Sequence, residues 1–393
     1  MKYVFYATVM TTLPLIGCES GDTSSSSRFS YSESPNYIAG DGSSHNLQIT
    51  DQYVSRYGVL NDDSLSIHAL AYADFDQDGD TDIFMAPLDS SENTTPFRLY
   101  LNNGSNHFSQ SSSFFDGNAP GLVHARKALP GDFNGDGKMD IFVLGHGYDQ
   151  PPFPGETPIL VLSTDDGFEQ ATLPDNVDGF NHGGASADID HDGDLDIFVI
   201  NNDTGSYLLI NDGSGNFSKD DGSIFTPTVY GFTTELVDVD QDGYIDILVA
   251  GHEHEGMASR IFWGSSSGTY STSDMTELPE VGSYRVVVDI DVADLDNDGN
   301  RDLLLTRTGD GAADSTQTFY QGYYLQLLIN DGMRGFEDKT ATQLSTGHSS
   351  SDSWFDWLRL QDFNADGQVD IMVDDAARKL VWLNDGHGYF SKN

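Results

Sequence analysis

The stretch Asp74-Phe75-Asp76-Gln77-Asp78-Gly79-Asp80-Thr81-Asp82-Ile83-Phe84 decides how the chain is read. Its skeleton, D-x-D/N-x-D-G-x-x-D running straight into an apolar segment, returns at Asp132, Asp188, Asp238, Asp294 and Asp362. Alternate side chains of a tight loop can offer a hard cation such as Ca²⁺ the six to eight oxygens it prefers. Asp74, Asp76 and Asp78 occupy positions 1, 3 and 5, Gly79 permits a sharp turn at position 6, and Asp82 closes the ring at position 9. The other loops supply Asp132, Asn134, Asp136 and Asp140, then Asp188, Asp190, Asp192 and Asp196. Next come Asp238, Asp240, Asp242 and Asp246, then Asp294, Asp296, Asp298 and Asp302, and last Asp362, Asn364, Asp366 and Asp370. The only exchange at these positions is Asp to Asn, which keeps an oxygen.

An EF-hand loop needs a Glu at position 12. Here that position holds Met85, Val143, Val199, Val249, Leu305 and Val373, already inside an apolar strand, so the loops are of another kind. Acidic turns that merely join strands would explain one copy. They do not explain six copies with one Gly and four oxygen positions in common. Carboxylates packed this densely repel one another unless a cation sits among them. The expected cofactor is Ca²⁺, about six ions with a structural role.

Successive loops start 58, 56, 50, 56 and 68 residues apart. A period near 50 with strand-like content points to the four-stranded blades of a β-propeller. One strand leads into each loop, as in Ala69 to Phe75 or Val286 to Leu295, and a second leaves it, as in Ile83 to Ala86 or Ile197 to Ile200. A third ends in an Asn/Asp-Gly turn, as in Leu208-Leu209-Ile210-Asn211-Asp212-Gly213, a composition suited to tight hairpins. An aromatic then opens a short fourth strand: Phe108, Phe168, Phe217, Tyr270, Phe336 or Phe390. No useful helical periodicity is visible. The predicted fold is all-β, a propeller of six blades with the acidic loops between strands 1 and 2. A strand from residues 45–60 would close the ring, and a seventh, degenerate blade in residues 28–62 is the alternative.

The N-terminus has the layout of a secretory signal over residues 1–17. Leu15-Ile16-Gly17-Cys18 is similar to a bacterial lipobox, in which Cys18, the only cysteine, would carry the lipid. Glu19 does not match an inner-membrane retention signal, so the expected location is the outer membrane of a bacterial cell envelope, with secretion as the alternative. Residues 18–44, rich in Ser and Gly, read as a tether, and residues 45–393 as the propeller.

These repeats resemble the FG-GAP/VCBS family, whose best-known members are the propeller heads of integrin α-subunits. The resemblance covers about five-sixths of the chain and implies Ca²⁺ in the strand 1–2 loops. Integrin-like propellers carry the loop in only some of seven blades, whereas all six units here have it. Some propeller relatives are polysaccharide lyases.

The formal net charge of −45 repels nucleic acid and anionic membranes, so neither is an expected partner, the lipid anchor aside. Twenty-two of the 63 acids sit at the loop positions. In a propeller the end opposite the loops collects the start of each first strand and the strand 2–3 connections. That end gathers His124, Arg126, His146, Tyr148, His182, His252 and Arg285, together with His68, Tyr284, Trp354, Asn201, Asn202, His254, Arg307 and Asp374. Clustered His, Tyr and Arg could grip a sugar or a carboxylate. The first reading is therefore a monomeric, non-catalytic adhesion module for a glycan or a protein. The alternatives are a lyase of uronic-acid polymers, with Arg neutralising the carboxylate and His or Tyr taking the proton, or a subunit of an envelope assembly. Gly264-Ser265-Ser266-Ser267-Gly268 matches a nucleophile elbow only in letters, because it lies in a hairpin. His252-Glu253-His254-Glu255 is not the helical H-E-x-x-H motif, though it could hold a transition metal.

Overall fold

The computed structural model describes residues 65–89, 93–104, 108–115, 118–165, 167–355, 358–364, 366–373 and 380–393. The signal segment, Cys18, the tether, the candidate closing strand in residues 45–60 and Asp374 lie outside them. Among the described residues the chain forms six successive antiparallel sheets in which four strands follow one another in chain order. The first sheet comprises Leu65–Ala73, Asp82–Asp89, Arg98–Asn102 and Phe108–Ser111, and the second Ala125–Gly131, Asp140–Gly145, Ile159–Thr164 and Gly167–Gln170. The third has Asn181–Ala187, Asp196–Asn201, Tyr207–Asn211 and Phe217–Lys219; the fourth has Thr233–Val237, Asp246–Ala250, Arg260–Phe262 and Met275–Glu277. Val286–Ala293, Asp302–Thr308, Gln321–Asn330 and Phe336–Asp338 make the fifth, where His348–Ser353 adds a strand beside Gln321–Asn330. The sixth is Leu358–Gln361, Asp370–Val373, Val381–Asn384 and Phe390–Lys392. Among the described residues, helix is confined to Thr340–Gln343 and a 3₁₀ turn at Glu253–Glu255.

The acidic loop joins strands 1 and 2 in every sheet, as the spacing predicts. Asn181–Ala187 and Asp196–Asn201 are buried along their whole length, whereas Phe336–Asp338 is largely exposed. That gradient follows from packing. The first strand of each sheet lies against the first strand of the next, and the apolar clusters fill the gaps between consecutive sheets. One cluster joins Phe84 and Leu99 of the first sheet to Ala128 and Val161 of the second; another joins Phe142 and Leu160 to Val199 and Leu209. Burying apolar area between sheets is the main favourable term for such a fold, at roughly 25 cal/mol per Å².

One expectation is corrected. Tyr270 does not open the fourth strand of its sheet; that strand begins at Met275. The connection after Phe262 is long enough to fold Tyr270 inward, and its hydroxyl donates to the Ile245 carbonyl at 2.6 Å. A buried phenol needs such a partner. Elsewhere the residue at the same place along the chain is Phe, which has no hydroxyl to satisfy.

Candidate metal loops and the opposite face

Each acidic loop is wound by its own side chains. In the first, Asp74 accepts the Asp78 N–H on Oδ1 at 3.1 Å and the Gly79 N–H on Oδ2 at 3.0 Å, and Asp78 Oδ1 accepts the Asp80 N–H at 3.0 Å. The bond from the position 6 glycine to position 1 recurs in all six loops at 2.8–3.1 Å. These glycines have φ between +84° and +100°, and a Cβ on Gly79, Gly243 or Gly299 would meet nothing within 4 Å. Backbone conformation, not crowding, therefore selects glycine there. Position 4 is left-handed as well at Gln77, Gly135, His191, Gln241 and Asn297. Its side chain can reach the next loop: Gln77 donates to the Gly137 carbonyl at 3.2 Å and Gln241 to that of Gly299 at 2.6 Å.

Position 9 does more than close a ring. Asp82, Asp140, Asp196, Asp246, Asp302 and Asp370 are fully buried. Each accepts the position 2 N–H on Oδ2 and an N–H at the end of the third strand on Oδ1, at 2.7–3.0 Å. The third-strand residue is Asn102, Asn211, Asn330 or Asn384, and Ser163 or Gly264 in the other two sheets. The Asn amide donates in turn to the position 8 carbonyl, the bond that Tyr270 supplies in the fourth sheet. Asn211 and Asn384 also reach the preceding sheet's loop, at the Phe133 and Leu295 carbonyls, both at 2.8 Å. Sequence reasoning saw these Asn residues only as turn formers. Their recurrence six residues ahead of the aromatic of the next strand was the available signal, but not their partners.

The loops fit a divalent cation. Ligand atoms of Asp74, Asp76 and Asp78 lie within 4.8 Å of one another, as do those of Asp188, Asp190 and Asp196 and those of Asp238, Asp240 and Asp246. Asp188 Oδ1 is buried with no hydrogen-bond partner among the described residues, an oxygen left for a cation. Burial pushes the position 9 carboxyls up, to about 6 for Asp140 and Asp370, about 7 for Asp82, Asp196 and Asp302 and about 8 for Asp246, partly offset by the backbone N–H groups they accept. A cation would reverse that penalty. The fourth loop differs in having an internal cation. Arg334 places its guanidinium 2.6 Å from Asp240 and 3.4 Å from Asp242, reaches Asp274 at 3.2 Å, and lies 4.7 Å over the Trp263 ring.

At the other end of the strands the predicted polar cluster is a row of rings. His124 and His146 of the second sheet are 4.1 Å apart between centroids, and His146 stacks on Phe180 at 4.3 Å. His182 lies 5.5 Å beyond His146 and 3.8 Å from Phe232, which stacks on His252 at 3.9 Å. The row continues through Phe319 and Tyr320 to Trp354, ahead of the sixth sheet. The four His side chains are buried rather than displayed. Burial first, and the Arg126 charge second, hold His124 down at about 4 and His146 at about 2; burial likewise lowers His182 and His252. They are neutral at pH 7. Phe153, edge-on to Phe180 at 5.8 Å, and Phe319 are exposed members, and Tyr148, two residues after His146, is exposed as well. Arg285 is held by Asp310 at 2.6 Å and Asp314 at 2.8 Å. Arg307 turns inward, where it pairs with Glu253 through two bonds of 2.7 and 3.0 Å and donates to Gln326 Oε1 and the Pro279 carbonyl. Both charges of that pair are fully buried. The structure thus brings His124, His146, His182 and His252 together, while Arg285 and Arg307 are engaged by acids.

Repeated calcium-type loops on successive four-stranded sheets define the FG-GAP class of repeat. The FG-GAP-like repeat family model matches residues 74–143, 188–249 and 238–305, and this chain is an FG-GAP-like repeat protein. No curated protein matches it. Among solved structures, one described as "Crystal structure of BBS1N in complex with ARL6DN, soaked with lead" is similar over 82% of this chain and 92% of that chain, at 9% identity and a TM-score of 0.40.

Proposed function

We propose that the six sheets are the blades of a β-propeller, that each acidic loop takes one Ca²⁺, and that the row of rings at the far end of the strands receives a neutral glycan. The carrying observation is the continuity of that row from the second sheet to Trp354 ahead of the sixth, with Phe153 and Phe319 exposed along it. Flat apolar ring faces offer a sugar's C–H surface large contact area at little entropic cost. A net charge of −45 disfavours anionic polymers on the same surface. Calcium would be held by positions 1, 3, 5 and 9 and would neutralise carboxylates that otherwise repel. Export, a lipid on Cys18 and an outer-membrane location complete the reading.

A glycan array probed with the calcium-loaded protein tests this. Neutral glycans should be retained, and a Phe153→Ala/Phe319→Ala double variant should bind about tenfold or more weakly, as expected for roughly 0.5–1.5 kcal/mol per aromatic contact. An array with no neutral glycan retained, or full binding by the double variant, overturns the glycan face.

A further inference from the structure

The acidic loops are not the only place where donor atoms converge. After the second strand of the fourth sheet the chain makes a single 3₁₀ turn, Glu253–Glu255, ended by Gly256 at φ +93°. Its four consecutive polar residues divide in two directions. Glu253 points inward to Arg307 and accepts Ser259 Oγ at 2.6 Å. His252, His254 and Glu255 point the other way, with ligand atoms of all three within 4.8 Å of one another.

We propose that His252, His254 and Glu255 form a binding site for one transition-metal dication of the Zn²⁺ class, separate from the calcium loops and at the opposite end of the strands. Three observations carry it. Glu255 lies between the imidazoles, with Oε2 3.0 Å from His252 Nδ1 and Oε1 3.7 Å from His254 Nε2. Donors on one tetrahedral zinc with bonds of 2.0–2.1 Å stand about 3.3 Å apart, so these separations bracket the requirement. His252 has the outer partner that orients a metal-binding imidazole: with Nδ1 given to the metal, Nε2 carries the proton and faces Tyr320 Oη at 3.4 Å. His254 stacks on His252 at 5.5 Å between centroids with Nε2 toward Glu255, and its Nδ1 is buried with no hydrogen-bond partner among the described residues, a donor atom left for an ion.

The donor set fixes the class of ion. Two imidazole nitrogens and one carboxylate suit zinc, nickel or copper and not calcium, which takes oxygens. Three protein ligands leave a fourth position for water or a ligand atom. The scaffold is rigid where it matters. The buried Glu253–Arg307 pair anchors the middle of the turn, and the His252 ring is clamped against Phe232. The inference does not depend on the glycan reading, since the site is complete within one turn and needs only the metal.

Calorimetric titration of the full chain with Zn²⁺, in excess calcium so that the acidic loops are filled, tests it. One zinc per chain is expected, and His254→Ala and Glu255→Gln should each weaken binding by about tenfold or more. The Glu255 side chain is half exposed while that of His254 is mostly buried, and unchanged melting in calcium will verify that each variant folds. Co²⁺ in place of Zn²⁺ should give the visible absorption of a tetrahedral nitrogen–oxygen site, lost in Glu255→Gln. The proposal is overturned if zinc does not bind the calcium-loaded protein, if both variants bind as the parent does, or if rising calcium displaces the zinc.

Discussion

The two ends of the strands solve the burial of polar groups in opposite ways. At the loop end the same four oxygens recur six times, and each carboxylate is tied by short backbone bonds within its own loop. At the other end, among the described residues, buried histidines stack on phenylalanines, and one buried Arg–Glu pair closes the gap between the fourth and fifth sheets. A regular end is what repetition of one ligand demands. An irregular end is free to hold a site made only once. The loop end should therefore answer to calcium and to pH through the carboxyls, whereas the ring end should be indifferent to calcium and lose stability only as acid protonates its buried imidazoles.

The largest expected effect lies at the irregular end. Arg307→Ala leaves Glu253 buried without its counter-charge. Breaking one partner of a buried pair typically costs about 3–5 kcal/mol. Urea unfolding should show that loss equally with and without calcium. A loss confined to calcium-free protein would mean the two ends are not separable.

A smaller effect is expected at the regular end, and it should depend on calcium. Asp302→Asn keeps a single acceptor oxygen where two N–H groups, of Leu295 and Asn330, now find two. One buried donor is left unsatisfied, at a cost of about 1–3 kcal/mol. The gap between variant and parent should widen in calcium, because the variant also loses a ligand. An equal gap in both conditions would limit Asp302 to a purely structural role.

Much of this was legible in the sequence because the loops impose their own conformation. Asp74, Gly79 and Asp82 act within nine residues of each other, and local chemistry repeats faithfully. Strand order followed from the period. What stayed hidden depends on contacts across the fold. Tyr270 looks like its Phe counterparts until the longer connection turns its hydroxyl toward Ile245. Asn211 reads as a turn residue, and nothing local says that its amide reaches Phe133 in the preceding sheet. His182 and Arg307 are polar residues at the ends of strands, which predicts exposure. They are buried because rings and acids from neighbouring sheets cover them.

Calcium-dependent melting across pH tests the central claim most directly. The position 9 carboxyls are raised above the usual carboxylate value near 3.8 in the metal-free fold, to about 6–8. The stability gained from holding them protonated is fully present below pH ~4 and is lost as pH rises through that window. In chelator, the carboxyls should lower the melting temperature as pH rises to about 8, a fall seen most clearly above about pH 7, where the buried imidazoles, which act in the opposite sense, no longer titrate. Calcium, which binds the ionised form, should raise it by an increment that grows over the same range. Identical melting with calcium and with chelator at pH 8 would contradict the account.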